Sequence, residues 1–484
     1  QLPYVATLSS GALVSAPQSG LSNEAAEPPE PTVFGVPLSE LAREELIKYE
    51  LHPLDAWERL LSVAERDAPP EPDDVFRFKF HGLFYVAPAQ DAFMVRVRVP
   101  GNALRADQLR ALAGIADEHG DGFADVTTRG NLQLRNLPPR SIVAVLSALH
   151  DAGLTSRGSG ADNVRNISAS PSAGLDPEEL LDTRPFARAL QFYLLNHREL
   201  YGLPRKFNVS FDGGGRSGTV AETNDLAFVA VRLRASSEVR FRVLLGGLPG
   251  HGRLAQDAGL ALAPRDAVAT AAALLRIYNE HGDRSDRTKA RFVYLLERWG
   301  LPRMLDELRS RVAFELPAVA LEDCEPRRPI DRRAHLGVHA QADGRAYLGV
   351  ALGAGRLQTV QMRALATVAE RFGDGELRTT VWQNVLVPGI AQEHVAAARA
   401  LLLECGLGCE REGLRAGLVA CTGNTGCRFS ATDTKRHALA FADELDALLA
   451  ARGVALEETI GINVTGCPHS CAQHGIAEIG LLGT

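Results

Sequence analysis

Hydrophobic and polar positions alternate in two stretches of the first hundred residues. Phenylalanine occupies every second position over 76–80, and an apolar side chain occupies every second position over 93–99. A period of two is typical of a strand with one apolar and one polar face. We therefore expect a strand at each place, with Arg96 and Arg98 on the polar face of the second.

The residues before these strands, 1–74, predict an N-terminal arm with helical pieces. Apolar positions from Leu41 to Leu51 recur at roughly helical spacing, and Ser39 is placed to cap the start of that helix. Proline and acidic residues are concentrated in 68–74, which predicts a linker into the strand-rich unit.

An internal repeat at a constant offset of 253 residues is the strongest organisational pattern in the chain. A strand–helix–strand–helix unit that occurs twice predicts two half-domains that pair about a pseudo-twofold axis, and two independent copies of a common unit are the alternative. The offset holds without a gap, pairing 99–101 with 352–354, 108–113 with 361–366, 120–122 with 373–375 and 127–134 with 380–387.

Each repeat is followed by a second module, and the two modules differ in length. The first has glycine-rich turns and three predicted helices, near 185–200, 264–281 and 284–299, whereas the second stops after about 70 residues. We expect a chain shortened at its C-terminus for this reason, and the start at Gln1 rather than Met predicts a missing beginning. The predicted boundaries are 1–74, 75–155, 156–320, 321–334, 335–410 and 411–484.

The segment 321–334 contains two arginine pairs, Arg327-Arg328 and Arg332-Arg333. Such pairs between domains indicate either a solvated linker or a basic docking surface, and we favour the linker.

Composition limits the class of protein. Hydrophobic residues make up 45% and charged residues 23% of the chain, values typical of a globular protein with several cores. A net charge of −7 argues against a protein that coats nucleic acid or an anionic membrane. Neither a run of 18 apolar residues nor a signal peptide is visible, so no membrane contact and a cytoplasmic location are the default expectation. We also expect a monomer.

Four of the seven cysteines lie in one window of 51 residues. Five residues separate Cys421 from Cys427, three separate Cys467 from Cys471, and 39 separate the two pairs. Structural zinc sites usually have roughly two to four residues within a pair and about 12 to 20 between pairs, so zinc is a poor fit. Four thiolates suit a cubane iron–sulfur cluster, and nearby glycines at 423, 426 and 466 allow the backbone to approach the sulfurs. The remaining cysteines, Cys324, Cys405 and Cys409, predict buried thiols.

These cysteine motifs resemble the signature of the nitrite and sulfite reductases that couple a 4Fe–4S cluster to sirohaem. The resemblance rests on 420–423 with Cys427 and on 465–471, where proline follows Cys467, and it extends over about residues 34–484. It implies that Cys471 bridges the cluster and the haem iron. It also implies an α+β, pseudo-twofold duplicated sulfite/nitrite reductase fold, with ferredoxin-like half-repeats at 75–155 and 335–410, a sirohaem and substrate module at 156–320 and a cluster module at 411–484.

The resemblance also implies a set of cofactor-binding residues. Sirohaem carries carboxylates and the substrate is an oxyanion, so the site needs cations and amides on one wall. On the strand predicted over 127–134, Thr127, Arg129, Asn131 and Gln133 share one face, and the family uses the positions of Arg129 and Gln133 to hold the haem.

Three further cations correspond to residues around the family's substrate anion: Arg96, Arg165 and Lys206. Taken singly, each arginine has the alternative of an exposed charge on a strand face. Their joint occurrence at motif positions favours the catalytic interpretation.

The reaction implied is the six-electron reduction of nitrite to ammonium, with electrons supplied through the cluster. Ferredoxin or a similar small electron carrier is the expected donor, because the glycines at 213–215 lack the spacing of a nucleotide-binding motif. A sulfite reductase, a corrin-ring oxygenase of the same superfamily and a non-catalytic cluster-binding protein remain alternatives.

Asn208 bears on the choice between nitrite and sulfite. In the strand predicted over 205–208, Lys206 and Asn208 share one face and should reach the same pocket. Sulfite reductases typically carry a second lysine at this position, and the nitrite reductases carry asparagine. Because nitrite is a monoanion and sulfite is partly a dianion, a nitrite site needs one cation fewer. The alternative is that Asn208 caps a strand end.

Overall fold

The computed structural model describes residues 30–411, 413–456 and 459–484. Helices and strands mix along the described chain, as expected of an α+β fold. The α-helices are α1 (Arg43–Glu50), α2 (Trp57–Arg66), α3 (Pro72–Arg77), α4 (Ala106–His119), α5 (Ile142–Asp151), α6 (Arg184–Asn196), α7 (Ala267–His281), α8 (Phe292–Arg311), α9 (Thr359–Phe372), α10 (Val395–Glu404) and α11 (Thr434–Ala451).

The strands of these residues form one hairpin and four larger sheets. Their bounds are β1 (Thr32–Val33), β2 (Val36–Pro37), β3 (Leu83–Tyr85), β4 (Phe93–Val97), β5 (Ala103–Arg105), β6 (Phe123–Val126), β7 (Leu132–Leu137), β8 (Ser168–Ala169), β9 (Val209–Asp212), β10 (Leu226–Arg232), β11 (Val239–Leu245), β12 (Gln256–Leu262), β13 (Gly337–Ala340), β14 (Ala346–Val350), β15 (Arg356–Gln358), β16 (Glu376–Thr379), β17 (Val385–Ile390), β18 (Leu418–Ala420), β19 (Ile462–Thr465) and β20 (Ile479–Leu482).

The two half-repeats exchange one strand each. The sheet of the first half has the order β15-β6-β7-β4-β3, and that of the second has the order β13-β14-β17-β16-β5. Each sheet therefore takes its short edge strand, β15 or β5, from the other half. The registers are equivalent, since Leu357 pairs with Ala124 and Leu104 pairs with Leu377. The backbone hydrogen bonds of the two exchanged strands are therefore related by the pseudo-twofold axis.

Side-chain contacts across the axis are reciprocal as well. Helices α4 and α9 pack on each other, and Arg110 pairs with Glu370 at 2.6 Å while its counterpart Arg363 pairs with Asp117 at 2.6 Å. Both sheets and both helices share one apolar core. The predicted pairing of two half-domains is confirmed, and two independent copies would not share a core.

The module after the first half consists of a five-stranded sheet, β12-β11-β10-β9-β8, covered by α6, α7 and α8. Its core contains closely packed rings, among them Phe211 and Phe228, which stack at 4.8 Å between ring centroids. The three predicted helices exist. The third, α8, lies further along the chain than expected and is broken at Gly300, whose φ is +72°.

The module after the second half contains three parallel strands in the order β18-β19-β20, with α11 packed against them. Cys421 directly follows β18, and Cys467 comes two residues after β19. Because the carboxyl ends of parallel strands meet at one edge of a sheet, the two cysteine pairs are brought together there.

The strand predicted over 76–80 is wrong. Residues 72–77 form α3 and residues 78–81 form a 3₁₀ turn. Pro72 stands at the first helical position, and Phe76 and Phe80 pack edge-on at 5.7 Å. Phe76 and Phe80 are four residues apart, so the same pattern also fits a helix, in which residues i and i+4 lie on one face. Pro72 favours the helix because proline suits the first helical position. Residues 68–71 remain a connection, but the predicted linker ends where the helix starts.

Ser39 does not cap the first helix. Helix α1 begins at Arg43 with Ala42 at the N-cap, and Ser39 lies in a 3₁₀ turn. Its N–H and hydroxyl both donate to the carboxylate of Glu30, at 2.6 and 2.9 Å. The hydroxyl of Ser39 is thus bound by Glu30 and does not accept a hydrogen bond from the N-terminus of α1.

The second alternating stretch forms β4, as predicted, with Phe93, Val95 and Val97 fully buried. Its polar face is covered rather than solvated. Arg98 is 3% exposed, and its guanidinium donates to the carbonyls of Arg157 and Gly158 at 2.8 and 2.7 Å.

The arginine pairs of the segment 321–334 are bound within the chain, and only Arg328 is largely exposed, so the segment is less solvated than the predicted linker. Arg327 pairs with the buried Asp212 at 2.8 Å, and Arg333 pairs with Glu478 at 3.0 Å. None of the helices in the described ranges is both long and apolar enough to cross a bilayer.

Candidate functional site

A cavity of about 320 Å³ lies where the first half-repeat, the module after it and the cysteine module meet. The nine non-cluster and bridging residues predicted from the sequence all line it: Thr127, Arg129, Asn131, Gln133, Arg96, Arg165, Lys206, Asn208 and Cys471. Cys421 also lines the cavity, whereas Cys427 and Cys467 are not among its lining residues.

Residues 127–130 form a tight turn between β6 and β7, so the continuous strand predicted over 127–134 is wrong. Gly130 adopts a φ of +64°, and a β-carbon on it would lie 2.1 Å from the Asn102 amide. Thr127 and Asn131 close the turn through a backbone hydrogen bond of 2.9 Å and a side-chain hydrogen bond. The turn presents Arg129 to the cavity from its apex rather than from a strand face.

Arg96 and Arg165 converge on a single carbonyl. Both guanidinium groups donate to the main-chain oxygen of Ser159, at 3.2 and 2.6 Å. Arg96 also lies 4.5 Å above the ring of Phe84. Burial lowers the pKa of Arg96 to about 10 and lowers the pKa of Arg165 well below its usual range, with the neighbouring Arg96 adding to the latter effect. Two cations held side by side in this way prefer an anion between or above them.

Lys206 and Asn208 both reach the cavity, although they do not lie in a strand. Phe207 between them makes an isolated parallel bridge to Val164 and buries its ring in the core. Lys206 and Asn208 therefore point away from the core and into the same cavity, as predicted. Asn208 also stands directly before β9, where its backbone N–H donates to the carboxylate of Asp225 at 2.8 Å and its carbonyl accepts from Leu226 at 3.1 Å, so the alternative of a residue at a strand end stays open.

Burial, together with Arg291, lowers the pKa of Lys206 to about 7. Asp225 is fully buried beneath this wall and accepts two hydrogen bonds from Arg291, at 2.9 and 2.8 Å. Arg129 donates to Asn224, the residue before Asp225, and burial lowers its pKa to about 10.

The cysteine loops are tied to each other and to the turn of the first half. The N–H of Gly466 donates to the Cys421 sulfur at 3.3 Å, and the hydroxyl of Thr128 donates to the carbonyl of Cys471 at 2.9 Å. Burial raises the pKa of the Cys471 thiol, Lys206 opposes this, and the other three cysteines of the pairs raise it further. All four sulfurs therefore share one electrostatic neighbourhood.

Two observations fit an iron–sulfur cluster to these loops. Side chains would not fit at Gly466, where a β-carbon would lie 1.8 Å from the Ser430 hydroxyl, or at Gly423, where φ is +79°. The second observation is the backbone N–H of Gly466, which donates to the Cys421 sulfur at 3.3 Å, because hydrogen bonds to the sulfurs are a feature of cluster sites.

Several cavity residues escaped the sequence reasoning. Arg291 and Lys435 add two cations to the wall, and Gln383 joins β6 to β18 by hydrogen bonds to Val126 and Ala420 at 3.0 and 2.9 Å. The repeat gives a partial signal for Gln383, whose counterpart at the offset of 253 is Gly130 in the same turn.

The three remaining cysteines follow the expectation of buried thiols only in part. Cys324 and Cys409 are buried, and burial raises the pKa of Cys409 to about 11, but Cys405 is half-exposed.

Two family models match the chain. One is the nitrite/sulfite reductase ferredoxin-like half domain, at residues 87–152 and 339–405, and the other is the nitrite and sulphite reductase 4Fe-4S domain, at residues 160–316. A chloroplastic ferredoxin–nitrite reductase of Zea mays is 38% identical over 428 residues, which cover 85% of this chain and 73% of that protein. The chain belongs to the nitrite and sulfite reductase family.

Other members of this family agree with that assignment. A ferredoxin–nitrite reductase of Synechococcus elongatus is 37% identical and covers 85% of this chain and 80% of its own length. The solved structure of the Mycobacterium tuberculosis NirA protein superposes with a TM-score of 0.82 at 28% identity, covering 91% of this chain and 83% of that one. The α+β fold with ferredoxin-like half-domains and the iron–sulfur cluster of this family are therefore supported.

The 4Fe-4S domain model matches residues 160–316 of this reductase-family chain. It coincides closely with the predicted module at 156–320, yet all seven cysteines come after residue 316. Every cysteine of the chain therefore lies outside the range that this domain model matches.

Proposed function

We propose that this protein is an assimilatory nitrite reductase that reduces nitrite to ammonium in a six-electron reaction at sirohaem coupled to a 4Fe–4S cluster. The observation that carries the proposal is the meeting of a cation-lined cavity with the cysteine loops at Cys471. Its relatives named ferredoxin–nitrite reductase support the choice of substrate and donor.

The charge of the cavity supports a polyanionic cofactor. Six cationic side chains line the cavity against the single carboxylate of Asp125: Arg96, Arg129, Arg165, Lys206, Arg291 and Lys435. Arg291 is paired with Asp225 and Lys435 lies 3.6 Å from Asp125, but the other four cations make no salt bridge to any described residue. Buried cations without counter-ions are costly, so this wall is suited to a ligand that carries several carboxylates, as sirohaem does. We assign Arg129 and Gln133 to hold the tetrapyrrole and Cys471 to join it to the cluster, with Cys421, Cys427 and Cys467 as the other cluster ligands.

When bound, sirohaem and the cluster supply the electron-transfer chemistry. The chain's own residues bind the substrate anion and handle protons. Arg96 and Arg165, fixed by their shared carbonyl acceptor, neutralise the negative charge of nitrite. Asn208 donates a hydrogen bond to a nitrite oxygen without adding charge.

Lys206 is the proposed proton donor. The overall reaction takes up six electrons and eight protons and releases ammonium and two waters, so a group that exchanges protons near neutral pH is needed beside the substrate. A pKa lowered to about 7 places the Lys206 ammonium in that range. The proton is held at Nζ and is given to a leaving oxygen.

The electron donor proposed is a ferredoxin or a similar small carrier. Reduced ferredoxin should support nitrite consumption by the purified protein, and reduced nicotinamide nucleotides alone should not.

The test of the function combines a spectrum with two substrates. The purified protein should absorb strongly in the visible range, and it should oxidise reduced methyl viologen with nitrite at a higher kcat/KM than with sulfite. A colourless protein that is inactive with both anions would contradict the proposal. A preference for sulfite would replace nitrite reductase by sulfite reductase.

A further inference from the structure

A buried arginine connects the first half-repeat to the loop between Cys421 and Cys427. Arg135 lies on β7, and its side chain is 3% exposed. Its Nη2 donates to the hydroxyl of Thr422 at 2.6 Å, and its Nε donates to Asp125 at 2.8 Å. The guanidinium thus lies directly beneath the segment that carries two of the cluster cysteines.

The packing of this loop depends on a glycine above the guanidinium. A β-carbon at Gly426 would lie 2.8 Å from Arg135 Nη1 and 3.5 Å from its Cζ. Gly426 directly precedes Cys427, so the absence of a side chain lets the loop close over the charged group. This gives that glycine a reason beyond the sulfur contacts expected from the sequence.

The nitrogen under the glycine has no partner. Nη1 of Arg135 is buried and makes no hydrogen bond to any residue that the structure describes. A buried unpaired N–H of a charged group costs free energy, because nothing replaces the water that it loses. Its position under the cysteine loop indicates that it serves a group bound there.

The side chains around Arg135 also carry more positive than negative charge. Asp125, 4% exposed, is shared by three cations, since Arg356 lies at 3.1 Å and Lys435 at 3.6 Å from the same carboxylate. Burial alone would raise the pKa of Asp125, but Lys435, Arg135 and Arg356 together hold it well below its usual range. One carboxylate cannot neutralise three cations, so the cluster of charges retains a positive excess beside the cysteine loop.

A reduced iron–sulfur cluster bound by four thiolates is an anion that fits this excess. Reduction adds one electron and no proton, so it adds one negative charge at the cluster. A buried positive charge nearby favours the reduced form, and net charge and hydrogen bonds are established determinants of cluster potential. The partners of Arg135 at Asp125, Gln133 and Thr422 all line the cavity, although Arg135 itself does not. Its unpartnered Nη1, by contrast, lies under Gly426 in the cysteine loop, which favours the cluster as the target of that N–H.

We propose that Arg135 is a positioning residue that raises the reduction potential of the cluster, by placing its charge and its free N–H under the loop between Cys421 and Cys427. The proposal rests on the cluster of the proposed function but not on the identity of the substrate. The proposal predicts that the charge of Arg135 affects the reduction potential of the cluster more than its hydrogen bond to Thr422 does.

The test is a redox titration of the full, cofactor-loaded protein without substrate, followed by electron paramagnetic resonance of the reduced cluster. For Arg135→Gln we expect the constant for one-electron reduction to fall at least tenfold, which is a shift of about 59 mV to more negative potential. Arg135→Lys and Thr422→Val keep the charge, and their constants should stay within about threefold of wild type.

Arg378→Gln is the matched control. Arg378 is 1% exposed on β16 of the second half, and its guanidinium contacts Ala173 and Glu376 rather than the cysteine loop. Its removal carries a similar risk to folding and should leave the midpoint unchanged.

Three results would overturn the assignment of Arg135: an unchanged midpoint in Arg135→Gln with full iron content, equal shifts in the Gln and Lys variants, or loss of the cluster in both. If wild-type protein binds no cluster, the proposed function fails as well. If only the midpoint is unmoved while nitrite turnover is normal, the proposed function stands and the role of Arg135 alone is lost.

Discussion

The two half-repeats share one backbone fold and differ in the side chains of one turn, which lies between β6 and β7 in the first half and between β16 and β17 in the second. Thr128 and Arg129 of the first half line a cavity of about 320 Å³, whereas their counterparts Val381 and Trp382 of the second half line a space of about 20 Å³. The same local fold therefore produces a binding site in one copy and a packed interior in the other.

Side chains at three equivalent positions account for the difference. Arg129 corresponds to Trp382, whose ring stacks on His335 at 5.4 Å. Arg96 corresponds to Gly349, where a β-carbon would lie 1.7 Å from the carbonyl oxygen of His335. Cations directed into open space in the first half are thus replaced by a ring and a backbone segment.

The third position is the glycine of the turn. Gly130 of the first half corresponds to Gln383, whose side chain is bound by the N–H and the carbonyl of Ala420 at 2.8 and 2.9 Å. The second half uses this position to hold the cysteine module in place. The two copies of the duplicated fold thus differ in role: one borders the cavity, and the other supports the module that completes its wall.

Loss of the residue that joins cavity and cluster should have the largest effect. Cys471→Ser should lose or uncouple both chromophores and lower nitrite turnover at least about 100-fold, or 2.7 kcal/mol in activation free energy. Visible spectra and steady-state assays measure both effects. Cys324→Ser, at a buried thiol of another module, is the control, and equal bleaching in the two variants would remove Cys471 from the site.

Lys206→Ala tests whether the first-half cavity handles the substrate or only the cofactor. We expect turnover with nitrite to fall about 100-fold, a typical loss for a general acid, while tetrapyrrole content changes little. Absorbance per protein and kcat separate the two. Unchanged turnover would exclude Lys206 from catalysis.

Trp382→Ala should destabilise the second half-repeat and leave cofactor binding and turnover unchanged. Removing a half-buried ring should lower the free energy of unfolding by roughly 2–3 kcal/mol, less than the loss at a fully buried site. Arg129→Ala, its counterpart, should lose tetrapyrrole absorbance with a smaller loss of stability. Urea denaturation and spectra of both variants measure this, and cofactor loss in the Trp382 variant alone would reverse the division of roles.

His335, which stacks on Trp382 in the second half-repeat, should make the free energy of unfolding depend on pH. Burial lowers its pKa to about 3, whereas the unfolded chain has the ordinary value near 6.5, so the unfolded state binds the extra proton between these values. The stability contribution is complete above about pH 6.5 and is lost as the pH falls, by about 2 kcal/mol at pH 5. His335→Gln should reduce this drop between pH 7.5 and 5 in urea denaturation, and an identical pH dependence in both proteins would contradict the prediction.

The smallest effect expected is a change of preference between substrates. Asn208→Lys adds a cation beside Lys206 in the first-half cavity and should move the ratio of kcat/KM for nitrite over sulfite toward sulfite by about tenfold, or 1.4 kcal/mol. Assays of both anions at one pH give the ratio. A ratio that the lysine does not move would show that Asn208 does not select the substrate.

Sequence patterns carried the architecture where they repeat. The offset of 253 predicted the paired half-domains, and the cysteine spacing predicted which loops meet, because both features follow from local chain geometry. The exchanged strands β5 and β15 were beyond reach, since a strand of three residues has too few positions to show a period.

The candidate site was visible only in part for a related reason. Arg129 and Gln133 belong to one short turn and strand, so their common direction could be anticipated even though the strand was drawn too long. Arg291, Lys435 and Arg135 reach the site or its underside from three different segments. Only the tertiary packing brings their charges together, and no local pattern marks them.

The central claim is that the open half of the duplicated fold reduces nitrite completely, and the most direct test is to count electrons. Purified protein is supplied with a known amount of nitrite and an excess of reduced methyl viologen, and viologen oxidation and ammonium are measured together. The account predicts six electrons consumed and one ammonium formed for each nitrite. Fewer electrons with a partly reduced nitrogen product, or no nitrite consumed, would contradict it.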